Sequence, residues 1–320
     1  MHSHEEEHHH AHHHVHPEAN GKRLVMVIIL NIIITIAQIA GGLISGSLAL
    51  LSDALHNASD VIAVIISWIA IVLSGKKASD KATYGYKRAE ILAALFNAIV
   101  LVAISLFLFI EAGKRLFTST QINSNLMIII AIIGLVGNML SAFLLHAGAE
   151  DSLNVRSSYL HMFTDGLTSL GVIVGGIAIK YTGASWIDPL LTFIIGLYVL
   201  KEAASIISET VHILMQGAPQ EPEPDEVKKI IESTYPIASI HHMHLWMLND
   251  REIHFDCHMK LQQDIHISDA DALRNNVAHI LKEEFGIAHA TIQMEFQPCD
   301  DESLIRQTGQ NKASADEEAD

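Results

Sequence analysis

Two short stretches carry the residues with most chemistry to offer, SDALHNASD at 52–60 and SSYLHMFTD at 157–165. Both contain Leu-His, then two residues, then Ser or Thr and Asp, so a histidine precedes an aspartate by four positions in each. On a helix that spacing puts His56 with Asp60, and His161 with Asp165, on one face. Asp53, three residues before His56, shares the face of the first pair and reads as an entrance or supporting carboxylate whose role stays open. Two imidazoles and two carboxylates converging on one point make a four-donor N/O set. Such a set suits tetrahedral Zn²⁺ and fits Mg²⁺ or Ca²⁺ poorly, since those ions prefer more oxygens.

The elements that must hold these residues are spans of a membrane. The 320-residue chain is 50% apolar, and residues 24–44, 91–110 and 126–145 run without a formal charge. Each is long enough to cross about 30 Å of hydrocarbon. Residues 48–73, 159–179 and 186–207 are as long and nearly as apolar, which predicts six helices. Lys and Arg gather on the cytoplasmic side of a span. With the N-terminus inside, that side holds nine flanking basic residues and the outer side only Lys114, Arg115 and Lys180, so both termini are expected in the cytoplasm. The first apolar run has span length and no small-residue cleavage site after it, so a cleaved signal peptide is not expected.

Asp60 falls roughly 20 Å from the cytoplasmic end of its helix at 1.5 Å per residue, near mid-membrane. A carboxylate there costs at least about 2.5 kcal/mol and needs an interior partner. The second and fifth spans run in opposite directions in a six-span topology, so packing side by side would set each histidine level with the other helix's aspartate. That is the pattern of an inverted repeat with a midplane site. An isolated intramembrane His or Asp can simply satisfy a neighbouring helix; two matching pairs are not accounted for that way. The same four groups can take up protons when metal leaves, a route for coupling metal export to proton entry.

QGAPQEPEPDE punctuates the end of the membrane part. The boundaries expected are a His-rich cytoplasmic tail at 1–21, a six-helix transmembrane domain at 22–216, a linker at 217–224, a cytoplasmic domain at 225–299 and a disordered acidic tail at 300–320. Residues 218–320 hold 21 acidic against 8 basic residues, which is −13 of the chain's net −16. That balance argues against a nucleic-acid partner and suits a domain handling cations, though an ordinary solvated acidic surface has the same composition. Two cysteines, Cys257 and Cys299, are too few for a disulfide framework and fall on the reducing side.

Periodicity in the cytoplasmic part predicts helix 225–234, strands 239–248 and 252–261, helix 268–285 and strand 288–296, a compact soluble α+β domain of order α-β-β-α-β behind an all-α membrane bundle. In 253–261 the set Ile253, Phe255, Cys257, Met259 and Leu261 alternates with His254, Asp256, His258 and Lys260. The apolar set packs inward and makes Cys257 core; the histidines face out. His289 and Glu295 face out from the third strand by the same alternation, so they share a surface with His258. His241, His242 and His244 lie in the first strand, and parity places His241 on the inner side unless it sits at a strand end. Solvated surface histidines are the alternative to a metal site here.

The first 16 residues hold nine of the chain's 21 histidines. The run is broken by Glu and Ala, unlike an affinity tag, and is too polar to fold alone. It can collect Zn²⁺, Ni²⁺ or Cu²⁺ loosely.

Taken together, SLALLSDALHNASD, YGYKRAEILAALFNA, NVRSSYLHMFTDGLTSLGV, HHMHLW and TIQMEF resemble the cation diffusion facilitator family, in its zinc-transporting branch and its bacterial zinc/cadmium/cobalt efflux type. The resemblance covers about residues 22–297 and implies a six-helix transmembrane bundle followed by a ferredoxin-like cytoplasmic domain. It implies a multi-pass protein of a bacterial inner membrane, a homodimer in the lipid bilayer, and antiport of divalent metal out of the cytoplasm against protons. Zn²⁺ is the expected cargo and regulatory ion, with Cd²⁺, Co²⁺ and Ni²⁺ as further cargo. Position by position it implies a transport site of His56, Asp60, His161 and Asp165, with His at the first position favouring zinc over cadmium. It also implies a cytoplasmic-domain site of His241, His258, His289 and Glu295. Two family features are missing: GKKASDKATYGYKR carries no histidine for a metal site between the second and third spans, and HAGAEDSLNV is too short for a His-rich loop.

Readings from other classes have less support. An intramembrane metalloenzyme lacks H-E-x-x-H, and four protein ligands leave no position for a catalytic water. A primary pump lacks a phosphate-binding loop. A metal sensor without transport predicts conformational change on metal binding but no vesicle flux.

Overall fold

The computed structural model describes residues 17–118, 120–149, 153–297 and 303–305. The first 16 residues, Cys299 and the acidic tail apart from 303–305 lie outside them. Six long helices come first: α1 (Pro17–Ser45), α2 (Leu48–Ser74), α3 (Ala89–Phe117), α4 (Ser124–Ala149), α5 (Leu153–Thr182) and α6 (Ile187–Leu214). All six contain segments long and apolar enough to cross a membrane. Large apolar side chains such as Ile36, Phe107, Phe143 and Ile194 stand exposed on them, as lipid-facing residues do. The chain divides into two compact units, Met1–Ile65 with Ile99–Ala204 and Ile66–Ala98 with Ser205–Asp320.

In the first unit α4 packs against both α1 and α5. Small residues permit the approach: a Cβ on Gly137 would stand 2.0 Å from Ile34, and one on Gly166 would stand 2.1 Å from Met139. Close backbone contact of this kind is how helices pack in lipid, where no hydrophobic drive joins them. The start of α2 is capped from α6. The buried Asp188 carboxylate accepts from the Ser47 hydroxyl (2.5 Å) and from the backbone N–H groups of Leu48 (2.8 Å) and Ala49 (3.2 Å). This satisfies orphan donors of α2 and fixes the axial height of the residues that follow.

The second unit holds α7 (Pro224–Thr234), β1 (Ile237–Met247), β2 (Ile253–Leu261), α8 (Ile267–Phe285) and β3 (Ile287–Glu295). Pro224 with Asp225 and Glu226 opens α7 with the residues its first turn favours. The sheet order is β1-β2-β3, with β1 antiparallel and β2–β3 parallel across α8. A core of Val227, Ile231, Ile240, Met243, Leu245, Phe255, Cys257, Met259, Val277, Leu281 and Ile292 lies between the helices and one face of the sheet. The other face carries the polar alternates of each strand. A small α+β domain of the expected ferredoxin-like kind therefore follows the six helices, with Cys257 in its core.

One local feature departs from strict alternation. Between His241 and His244 the β1–β2 register shifts, and His242 takes φ 47. The backbone N–H groups of His242 and Met243 there donate to the carbonyls of Ser303 (3.1 Å) and Leu304 (2.7 Å). The bulge resets parity, so Met243 and Leu245 stay inward while His241 turns to the face of His258.

Candidate metal centres

On α2 and α5 the two sequence pairs meet. His161 Nε2 lies 3.2 Å from Asp60 Oδ2, and His56 Nε2 lies 3.6 Å from Asp165 Oδ1. Within each helix His56 Nε2 stands 3.7 Å from Asp60 Oδ2, and His161 Nε2 stands 3.7 Å from Asp165 Oδ2. A tetrahedron with metal–ligand bonds of 2.0–2.1 Å has edges of roughly 3.3–3.4 Å. The four His–Asp separations thus lie near that spacing, though through different oxygens of Asp165, and the two rings sit edge to face at 5.9 Å. His56, His161 and Asp165 have ligand atoms all within 4.8 Å of one another; Asp60 lies outside that set and joins it through its two histidine contacts. His56 and Asp165 are buried, whereas Asp60 and His161 are partly open. The site is therefore reachable from one side of the cluster.

Charge favours a dication here. Two carboxylates and two neutral imidazoles around Zn²⁺ leave no net charge, the state least costly to hold away from water. Once the metal leaves, two carboxylates remain beside two imidazoles.

Asp53 does not join the four. Its carboxylate accepts from Gln38 Nε2 (2.7 Å), Thr168 Oγ (2.7 Å) and Ser169 Oγ (2.9 Å), and Asn57 Nδ2 donates to Gln38 Oε1 (2.9 Å). Asp53 thus ties α2 to α1 and α5 one turn from His56. Gln38, Asn57, Thr168 and Ser169 are uncharged, and sequence reasoning passed over them.

The cytoplasmic domain gathers a second cluster. His241, His242 and His258 have ligand atoms within 4.8 Å of one another. Glu295 Oε1 lies 2.6 Å from His258 Nδ1, and its Oε2 lies 3.3 Å from His241 Nε2. Of the four residues expected here, His241, His258 and Glu295 come together. His289 stands apart: it pairs across the strands with His254, ring to ring at 5.1 Å. The member missed is His242, whose ring is 4.9 Å from that of His258. Only the adjacent histidines of IHHMH hinted at it, because alternation sends neighbours to opposite faces and the bulge does not. Burial, with Asp256 adding to it, pushes the Cys257 thiol up to about 12. Its side chain lies in the core, away from the face that carries the cluster.

Comparison with known proteins decides the family. The cation efflux transmembrane domain matches residues 24–215, and the cation efflux protein cytoplasmic domain matches residues 219–297. This chain belongs to the cation efflux family. It is 36% identical over 289 residues to the cadmium, cobalt and zinc/H⁺-K⁺ antiporter of Bacillus subtilis, covering 90% of this chain and 93% of that one. It is equally similar, at 36%, to the metal cation efflux system protein CzcD of Cupriavidus metallidurans, over 89% of both chains. The zinc transporter ZitB of Escherichia coli is also 36% identical, over 88% of this chain and 89% of its own. As a cation efflux protein the chain is a multi-pass integral membrane transporter, not an enzyme.

Proposed function

We propose that this cation efflux protein exports Zn²⁺ from the cytoplasm in exchange for H⁺, through the cluster of His56, Asp60, His161 and Asp165. The single observation that carries this reading is the cross-helix pairing, each imidazole within 3.6 Å of the other helix's carboxylate. The cluster is charge-matched to a dication and built from groups that bind protons in its absence. Rocking of the two inverted halves would expose it alternately to either side. Both termini lie in the cytoplasm of a bacterial cell, and the protein works in the inner membrane as a homodimer. The relatives' printed cargoes make Cd²⁺ and Co²⁺ further candidate substrates. Ni²⁺ is proposed on ligand type alone.

The cytoplasmic cluster of His241, His242, His258 and Glu295 has a different role in this reading. Three neutral imidazoles and one carboxylate retain a Zn²⁺ ion, which stabilises the domain and the dimer rather than passing through. His289, expected in this set, is instead assigned to the pair with His254.

The test is Zn²⁺ uptake into proteoliposomes under an imposed pH gradient. Wild-type protein takes up Zn²⁺ only with the gradient, and Asp60→Ala abolishes uptake; uptake by Asp60→Ala at the wild-type rate would overturn the proposal. Metal-dependent conformational change with no flux in the wild type would favour a sensor.

A further inference from the structure

The open face of the sheet carries ligand-type residues along its whole length. At one end lies the cluster of His241, His242, His258 and Glu295. In the middle His244 Nδ1 is occupied by Asp256 Oδ1 at 2.7 Å. At the other end His254 and His289 stand opposite one another on β2 and β3, flanked by Trp246 at 5.5 Å and by Tyr84 at 5.4 Å.

Four observations make this pair more than two surface residues. His254 is 5% exposed, and its Nδ1 has no hydrogen-bond partner among the described residues. A buried imidazole nitrogen usually finds a partner, and its near neighbours here are rings rather than acceptors. His289 is exposed, so the pair can be reached from solvent. Its Nε2 stands no closer than 3.5 Å to the Thr291 hydroxyl, a weak contact at most. Glu252 and Asp256, the carboxylates nearest in sequence, are held by Lys87 and His244.

The ring spacing admits two imidazoles on one ion. With metal–nitrogen bonds of 2.0–2.1 Å and an angle between 90° and tetrahedral, ring centroids fall roughly 4.5–5.2 Å apart, and these are 5.1 Å apart.

We propose that His254 and His289 form a second metal position on this face, for a divalent transition ion that favours imidazole and keeps waters in its remaining positions. Ni²⁺, Cu²⁺ and Zn²⁺ meet that description. A shared proton is the competing occupant. Burial and the neighbouring His289 lower the proton affinity of His254, which leaves its ring neutral and able to ligate. An ion there would lie against Tyr84 of the segment joining α2 to α3, and would reach that segment without involving the transport ligands. The inference does not rest on the transport reading.

Trp246 is a built-in reporter, one of three tryptophans. In the full chain carrying Trp68→Phe, Trp186→Phe and His258→Ala, paramagnetic Ni²⁺ is expected to quench Trp246 fluorescence saturably, with reversal by chelator. Adding His289→Ala is expected to weaken that quenching by at least about tenfold. Because His289 is exposed, its removal leaves the fold intact; His254→Ala gives the same loss if it folds. Ions held by the N-terminal histidines do not depend on residue 289, so the difference between the two proteins isolates the pair. Quenching that survives His289→Ala, or that is already absent in the protein carrying His258→Ala, overturns the proposal.

Discussion

The transmembrane cluster and the cytoplasmic cluster use the same residue types on different scaffolds. The first is spread over two helices, two ligand-type residues from each, with no net charge once a dication is bound. The second is packed onto adjoining strands, with three imidazoles to one carboxylate, and a dication would leave it positive. Both keep two members buried and two partly open, so the difference lies in composition: balanced charge suits an ion whose place protons can take, and an imidazole-rich set suits one that stays. This contrast separates the two proposed roles, passage and retention.

The sharpest way to break the contrast is to remove ligands from the helical cluster. His56→Ala and Asp165→Ala are each expected to lower Zn²⁺ flux by about 100-fold or more, since every donor contributes to a four-coordinate site. His56→Asp is expected to keep flux while raising the cadmium-to-zinc ratio in competition uptake.

Glu295→Ala sharpens the contrast from the other side. Zn²⁺ in hundredfold excess over its dissociation constant stabilises a protein by about 2.7 kcal/mol, and that gain in melting temperature is expected to vanish in the variant while flux falls by only a few-fold. His242→Ala is expected to weaken Zn²⁺ binding there about 10–100-fold, and His289→Ala to leave it unchanged. Equal effects of the two would restore His289 to the cluster in place of His242.

Asp53 tests whether packing near the helical cluster is separable from its chemistry. Asp53→Ala strands donors of Gln38, Thr168 and Ser169, and is expected to cost about 1–3 kcal/mol of stability, read as a lower melting temperature in detergent.

The smallest effect is on pH. His254 has its proton affinity lowered by burial, so the unfolded chain binds that proton more tightly. Its contribution to stability is therefore full above about pH 6.5, the ordinary histidine value, and shrinks as pH falls below it. His254→Gln is expected to flatten that part of the melting profile in metal-free buffer.

These two scaffolds also explain what could be read without coordinates. Four-residue spacing has one meaning on a helix, so His56 with Asp60 and His161 with Asp165 could be set on shared faces from sequence alone. The six spans were legible from unbroken apolar runs. On the sheet, alternation placed Phe255, Cys257 and Met259 inside and His258 outside, as the structure has them. It failed at His241 and His242, because a bulge is a one-residue insertion into the ladder with no reliable sequence signal. It could also say that His289 shares a face with His258, but not that they stand four residues apart along the strands. The Asp53 network was hidden for another reason: Gln, Thr and Ser inside a helix look like tolerated polar residues until their partners are known.

The most direct measurement is Zn²⁺ uptake by Asp165→Ala and His258→Ala proteins side by side in vesicles of one lipid composition under one pH gradient. The account predicts no gradient-driven uptake by the first and uptake within a few-fold of wild type by the second. Equal loss in both, or retained uptake by Asp165→Ala, would contradict it.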